Sequence, residues 1–221
     1  MRPDAGSASR VRDGVRAAIP LAPGPFVFGL SFGVLAESAG MGAAAAVVMS
    51  ATTFAGSAQF AAASVLDAGG TVAAAIAAAV FLNARYVAIS ITVASIFPGG
   101  RFRRLAESQL IVDESWALSG RSGRFEWPIL VGAGLLLYVL WVGSTALGTA
   151  VGGVLDDPDA LGLDAAFAAL FLALAVPYLR RRRALEAAAL AAVITVVLTP
   201  VAPAGVPIVA AAAACLLGLR R

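Results

Sequence analysis

The 221-residue chain contains no histidine, no lysine and only one cysteine, Cys215. Without these residues it cannot build the usual Cys/His zinc site, an internal disulfide, or a Ser-His or Cys-His nucleophile pair. The missing lysine also excludes a Walker A motif, which places a lysine at the ATP phosphates. We therefore expect no enzyme, no bound metal and no cofactor, and any proton coupling has to use carboxylates.

Charge is also scarce. Charged residues make up 13% of the chain, 60% is hydrophobic, and the mean hydropathy is +0.90. A soluble domain carries about 25% charged residues. Four uncharged runs each reach or exceed the roughly 20 residues that a helix needs to cross a bilayer: residues 17–36, 38–66, 129–155 and 187–219.

The fold class that this composition predicts is all-α, a polytopic membrane helical bundle in the lipid bilayer. We expect a disordered cytoplasmic amino terminus over residues 1–15 and a single transmembrane domain over residues 16–221. The 16 arginines do not gather on one face, so the pI near 9.7 does not indicate a nucleic-acid partner. They lie beside the apolar runs, which is the positive-inside pattern of membrane proteins.

The arginine clusters predict which loops are cytoplasmic, and so allow the crossings to be counted. They put both termini and the segments 97–127 and 180–183 in the cytoplasm, with the acidic loop at 156–159 outside. A multi-pass protein of the cell (inner, cytoplasmic) membrane is expected. From residue 127 onward this pattern gives four crossings: 127–153, 162–179, 184–200 and 203–219.

Upstream of Arg101 the number of crossings has to be even, yet three apolar blocks lie there. These blocks are residues 16–36, 42–64 and 71–97. The middle block has a Gly-Ser-Ala-Gln centre that makes a poor lipid-facing helix, and Gly56 is well placed for a break. We predict six full crossings plus one broken or re-entrant helix. The alternative is seven crossings with an exception to the arginine rule.

Prolines interrupt two other blocks. Pro20, Pro23 and Pro25 remove three amide donors within six residues, so this stretch cannot be regular helix throughout. The segment 200–207 has a similar composition. Such paired interruptions are typical of inverted-repeat transporters, although the second stretch could also be a tight extracellular turn.

Arg85 is one of only two charges between Ser38 and Gly100, the other being Asp67. A guanidinium at the bilayer centre costs roughly 2.5–3.5 kcal/mol on insertion scales, so it has to face protein, water or a ligand. Together with Asn83 it is a candidate substrate-binding group. The alternative is a buried structural ion pair or hydrogen-bond anchor.

Two further groups of polar residues are candidates for the site. If the helix breaks at Gly56, the next half-helix presents amides and a positive dipole end to a carboxylate, with Ser57 and Gln59 as additional donors. The alternative is that Ser57 bonds back to its own helix and Gln59 bridges to a neighbour. Asp113 and Glu114 are candidates for coupling or gating, because a half-buried carboxylate can carry a proton. They could equally be ordinary first-turn residues of a helix at the cytoplasmic surface.

In order along the chain, these elements resemble the AzlC-type branched-chain amino acid permease family over roughly residues 12–200. The resemblance is carried by Pro23-Gly24-Pro25-Phe26, Phe28-Gly29-Leu30-Ser31-Phe32-Gly33, Met49-Ser50, Phe54-Ala55-Gly56-Ser57-Ala58-Gln59-Phe60, Asn83-Ala84-Arg85-Tyr86 and Asp113-Glu114-Ser115. It implies an integral-membrane subunit that exports branched-chain amino acids and their analogues, methionine in some members. It also implies a small AzlD-type membrane subunit as partner.

In the mechanism that we expect, the amino acid carboxylate docks at residues 56–59 near Arg85. Its ammonium meets carbonyls freed by the break, or a carboxylate such as Glu114, and its side chain lies against Phe54 and Phe60. The proton gradient then drives export by alternating access. The alternatives are a channel-like facilitator of a small solute and a scaffold subunit that transports nothing.

Overall fold

The computed structural model describes residues 5–121, 124–152, 172, 176, 179–202 and 206–214. Within these ranges the secondary structure is almost wholly helical. The helices are α1 (Ala5–Ala18), α2 (Pro23–Ser38), α3 (Ala43–Thr53), α4 (Gly56–Asp67), α5 (Val72–Asn83), α6 (Arg85–Val93), α7 (Arg101–Ser108), α8 (Asp113–Ser119), α9 (Trp127–Gly152), α10 (Arg182–Leu198) and α11 (Val206–Ala212).

Shorter elements connect these helices. Two 3₁₀ turns, Ile19–Leu21 and Ala94–Ile96, precede α2 and follow α6. A short antiparallel hairpin, β1 (Gly120–Arg121) paired with β2 (Arg124–Phe125), leads from α8 into α9. This hairpin is a local departure from the predicted all-α architecture.

Four helices pack around α9. It is 26 residues long, or about 39 Å, and α1, α2, α3 and α8 all lie against it. Glycines set the closest approaches, since a Cβ on Gly132 would overlap the carbonyl oxygen of Val11 in α1. A Cβ on Gly148 would likewise overlap the carbonyl oxygen of Leu30 in α2. Membrane helices associate through small residues of this kind because their backbones can approach closely.

The amino-terminal segment differs from the expectation. Residues 5–15 were expected to be disordered, but they form most of α1. The reason is that α1 packs along α9, where Gly14 lies directly against the backbone of Ile129. The face of α1 toward α9 carries only a narrow strip of small and apolar residues, Val11, Gly14, Val15 and Ala18, in an otherwise polar segment.

The proline-rich stretch bends the chain, as its composition predicts. The helical segments Arg10–Leu21 and Pro23–Ser38 meet at 67°. Pro23 occupies the first turn of α2, where the missing amide proton removes no helical hydrogen bond.

The block 42–64 is broken into two helices, as predicted. α3 ends at Thr53, Phe54 adopts a left-handed conformation (φ 42°, ψ 51°), Ala55 is extended, and α4 starts at Gly56. The break therefore lies one to two residues before the glycine that indicated it. α3 and α4 have 11 and 12 residues, so neither alone is long enough to cross a bilayer.

The helices α5 and α6 together form an apolar segment, Val72–Ile96, at the edge of the bundle. Only 11% of its most apolar window is buried, against 50% in α9. One face of this segment carries exposed aliphatic side chains at near-helical spacing, namely Val72, Ile76, Val80, Val87 and Ile91. At the junction of the two helices the amide of Ala84 bonds to the carbonyl of Phe81, three residues back, and this tightens the turn before Arg85.

Two helices in the described ranges are long and apolar enough to cross a membrane, and the bent pair at α1–α2 makes a third if it is one span. They match the predicted blocks 71–97, 127–153 and 16–36. α10, with 17 residues, covers the predicted crossing 184–200. The crossing predicted at 162–179 lies largely outside the described residues, while α11 lies within the one predicted at 203–219.

Replacing Gly148 by alanine tests the packing of α2 on α9. The added methyl overlaps the Leu30 carbonyl, and overpacking of this kind costs about 1–3 kcal/mol. The variant should therefore show a lower melting temperature in detergent. Gly143→Ala is the matched control on the same helix, because nothing lies within 4 Å of its added Cβ. Equal melting temperatures for the two variants would contradict this packing.

Candidate functional site

A cavity of about 370 Å³ lies beside the break between α3 and α4. Five parts of the fold line it: α2, the start of α4 with Phe54, the α6 start, α8 and α9. Volumes of about 300–1,000 Å³ are typical of small-molecule sites. A wider depression of about 510 Å³ opens on the outer face of α6, but no charged side chain lines it. The cavity at the break is therefore the better candidate site.

Arg85 is the cationic group of the cavity. Its Nη2 atom donates to Ser57 Oγ at 3.0 Å and lies 2.9 Å from Asp113 Oδ2. The guanidinium also lies 5.1 Å from the ring centre of Tyr86. The Arg85 and Asp113 side chains are 42% and 50% exposed. Ion pairs with this much exposure contribute on the order of 1 kcal/mol or less, so a ligand can replace one partner at modest cost.

Glu114 is the second carboxylate of the cavity. It lines the cavity and is exposed there, although many protein atoms surround its carboxyl group. Burial raises the pKa of the Glu114 carboxyl, and the neighbouring Asp113 charge raises it further. A backbone hydrogen bond and Arg85 act in the opposite direction. Glu114 therefore takes up a proton at a higher pH than a solvated glutamate does.

The start of α4 also faces the cavity, through Gly56 and Ser57. The amide of Gln59 bonds to the Ala55 carbonyl, and the amides of residues 56–58 before it have no acceptor one α-helical turn back. Such amides and the positive end of the helix dipole attract anions. Together with Arg85 they make one side of the cavity suited to a carboxylate.

Aromatic and aliphatic side chains form the rest of the wall. They come from α2, the helix break, α4 and α9: Phe28, Phe54, Phe60, Leu137 and Trp141. The Phe60 and Trp141 rings meet edge to face, with ring centres 6.2 Å apart. This surface suits an apolar side chain.

Gln59 does not line the cavity, which corrects its predicted role as a binding residue. It is fully buried. Its Oε1 accepts hydrogen bonds from Ala55 N and Trp141 Nε1, and its Nε2 donates to Ser50 Oγ. Gln59 therefore uses its side-chain amide to connect α3, the helix break and α9 by hydrogen bonds.

The carboxyl end of α3 is also capped by protein groups. Gln109 Nε2 donates to Thr52 O at 2.8 Å and to Ala51 O at 3.3 Å, and the Tyr138 hydroxyl donates to Ala51 O at 2.8 Å. The expectation that freed carbonyls would hold an ammonium is therefore wrong for these two groups. The carboxylates of α8 also line the cavity and can hold a cation.

Asn83 points away from the charged cavity. It lines a smaller cavity of about 190 Å³ together with Gln109, and its Oδ1 atom has no hydrogen-bond partner among the described residues. The two cavities share Phe54 and Tyr86 as a common wall. Of the predicted pair, only Arg85 reaches the cavity at the break.

The structure thus brings together seven of the nine predicted residues: Phe54, Gly56, Ser57, Phe60, Arg85, Asp113 and Glu114. Sequence reasoning missed the contributions of α2 and α9, of which Trp141 is the largest. A signal for it existed, since Ser144 and Thr145 lie three and four residues further along the same apolar helix. Polar side chains one turn from a tryptophan indicate a face that packs against protein.

Cysteine labelling tests whether water reaches the cavity. In a Cys215→Ser background, Ser57→Cys should react rapidly with a water-soluble methanethiosulfonate reagent, because the nearby guanidinium favours the thiolate. Ser31→Cys, at a position that is 5% exposed on α2, should react at least tenfold more slowly. Similar labelling rates at both positions would argue against an accessible cavity.

Comparison with known proteins identifies the family of the chain. Residues 20–155 match the family described as AzlC protein, and this range contains all the cavity-lining residues. A relative from Archaeoglobus fulgidus, named "Uncharacterized membrane protein", is 33% identical over 173 residues, which cover 77% of each chain. No solved structure matches the chain. The chain is a membrane protein that belongs to the AzlC family.

Proposed function

We propose that this chain is the integral-membrane subunit of an exporter that moves branched-chain amino acids and their analogues, methionine among them, out of the cell. One observation carries the proposal. A single cavity presents a guanidinium and a helix amino terminus, two carboxylates, and an aromatic wall. These three surfaces complement the carboxylate, the ammonium and the apolar side chain of one amino acid.

In this proposal the substrate carboxylate binds between Arg85 and the start of α4. The guanidinium supplies charge-assisted hydrogen bonds, and the Ser57 hydroxyl is already within 3.0 Å of it. The first amides of α4 add a positive dipole end on the same side. A neutral ligand would gain much less from these groups than an anionic one.

In this proposal the substrate ammonium pairs with Asp113 in place of Arg85. In the structure the two side chains form an ion pair across the cavity. A zwitterion can insert between them, so that its carboxylate meets Arg85 and its ammonium meets Asp113 and Glu114. Because two new ion pairs replace one, the cavity charges stay compensated during the exchange.

Export, the proton gradient as driving force, and the cell membrane with both termini in the cytoplasm are further parts of the proposal. The sequence resemblance to exporters of this type supports the direction, and the raised pKa of the Glu114 carboxyl supports a proton as the coupling ion. The resemblance to AzlC-type permeases also supports a small AzlD-type subunit as partner. Cells that express the chain with and without that subunit should differ in their resistance to toxic leucine or valine analogues.

Arg85→Ala tests the carboxylate site. Losing charge-assisted hydrogen bonds worth about 1.5–3 kcal/mol should lower export of labelled leucine and valine about 10- to 100-fold. Protein abundance in the membrane should not change, since the ion pair is half exposed. The control is Arg104→Ala, which removes an exposed arginine of α7 and should export normally. Normal export by Arg85→Ala would refute the assignment, and loss of assembly without loss of flux per molecule would favour a scaffold.

The pH dependence of substrate affinity tests Glu114. Its carboxyl has a raised pKa and faces Asp113 and Arg85. As the pH falls through that pKa, the carboxylate is neutralised and its attraction for the ammonium is lost, so the KM for leucine should rise. As the pH rises through it, the KM should fall.

Glu114→Gln should flatten this profile, with a KM close to that of the wild type at low pH. The control is Glu186→Gln, which changes an exposed carboxylate on α10 that pairs with Arg182. It should keep the wild-type profile. A Glu114→Gln profile identical to the wild type would show that another group titrates.

A further inference from the structure

The indole of Trp141 is a buried part of the cavity wall. Trp141 is 5% exposed, and its ring lies against Phe32 and Phe60, with centres 6.5 and 6.2 Å away. Its Nε1 atom donates to Gln59 Oε1 at 3.0 Å. Ring contacts and a hydrogen bond therefore restrict both the tilt and the rotation of the indole.

Gln59 is itself held in one orientation. Its Oε1 also accepts from Ala55 N at 3.2 Å, and its Nε2 donates to Ser50 Oγ at 2.8 Å. Ser50 Oγ lies 2.9 Å from Thr145 Oγ1 on α9. Turning the amide would break bonds to α3, the helix break and α9 together, so the acceptor for the indole is fixed in space.

Gly56 allows the indole to approach the start of α4. A Cβ built on Gly56 would lie 2.8 Å from Trp141 Cη2 and 3.3 Å from Cζ3. Gly56 does not have a positive φ, so the glycine is needed here for space and not for backbone freedom. A side chain at this position would force the indole to move.

We infer that Trp141 sets the upper size limit of the substrate side chain, with Gln59 and Gly56 as positioning residues that hold the indole in place. This inference rests on the proposed function. The cavity has a volume of about 370 Å³, and the indole forms part of its apolar lining. Because ring contacts, the hydrogen bond to Gln59 and the close approach of Gly56 hold the ring in place, a phenylalanine side chain meets the indole before an aliphatic one does and is disfavoured.

The test is the ratio of phenylalanine to valine export, measured in cells that express the full chain with its small partner. Trp141→Leu should raise this ratio about tenfold, since hydrophobic pockets discriminate by factors of this order and above. Gln59→Leu should raise it by a smaller factor, because the indole stays but loses its hydrogen bond. Gly56→Ala should change it at least threefold, and this gives a second measurement if Trp141→Leu does not accumulate.

Gln59→Glu is the conservative control. A protonated glutamate accepts and donates at the same positions as the amide, so this variant should keep the wild-type ratio. A readout independent of transport comes from purified Trp116→Phe/Trp127→Phe protein, whose remaining tryptophan is Trp141. Valine should shift its emission, and Gln59→Leu should shift the emission of the ligand-free protein.

The outcomes separate the two proposals. If the wild type exports valine but the ratio is unchanged in Trp141→Leu and in Gly56→Ala, the size-limit inference is overturned and the exporter assignment stands. If the wild type exports neither amino acid, both are overturned. A Gln59→Glu variant that behaves like Gln59→Leu would show that the hydrogen bond to the indole is not what positions it.

Discussion

The structure depends on hydrogen bonds to the backbone groups that a broken helix exposes inside an apolar bundle. Backbone groups exposed by a break have no water partners in a bilayer, so the protein has to supply them. Gln59 binds the amide of Ala55 on one side of the break, and Gln109 and Tyr138 bind carbonyls at the end of α3 on the other. Phe54 adds a left-handed conformation, which costs a non-glycine residue about 1–3 kcal/mol and persists only where the surroundings fix it.

The position of the break and the identity of its cation could be predicted from the sequence, because both violate local rules. A Gly-Ser-Ala-Gln centre and a lone arginine in apolar surroundings each need a structural reason. The roles of Gln59 and Asn83 could have been refined by geometry. Residues two apart on a helix lie roughly 200° apart, so Ser57 and Gln59 cannot both face one cavity. Asn83 and Arg85 are also two residues apart, at the end of α5 and the start of α6, and they line different cavities.

Other features could not be predicted because they depend on contacts between distant segments. The order of residues 5–15 comes from Gly14 lying against α9, and the wall at Trp141 comes from Gly56 lying against the indole. In a chain with 23 glycines, no local pattern distinguishes these two from the rest. The number of crossings rests on arginine positions, which predict orientation but not which helices are long enough to span.

The cavity contains one cation and two carboxylates. In the proposed exporter, the second carboxylate makes the charge of the site depend on pH. Arg85 and Asp113 compensate each other, so the charge of the site depends on whether Glu114 is protonated. When Glu114 carries a proton the site is neutral, and in the proposed exporter it attracts the ammonium of a zwitterion less. When Glu114 loses the proton, the site gains one negative charge that attracts the ammonium end. In the proposed exporter, a single carboxyl with a raised pKa thus couples proton binding to the affinity for a neutral amino acid.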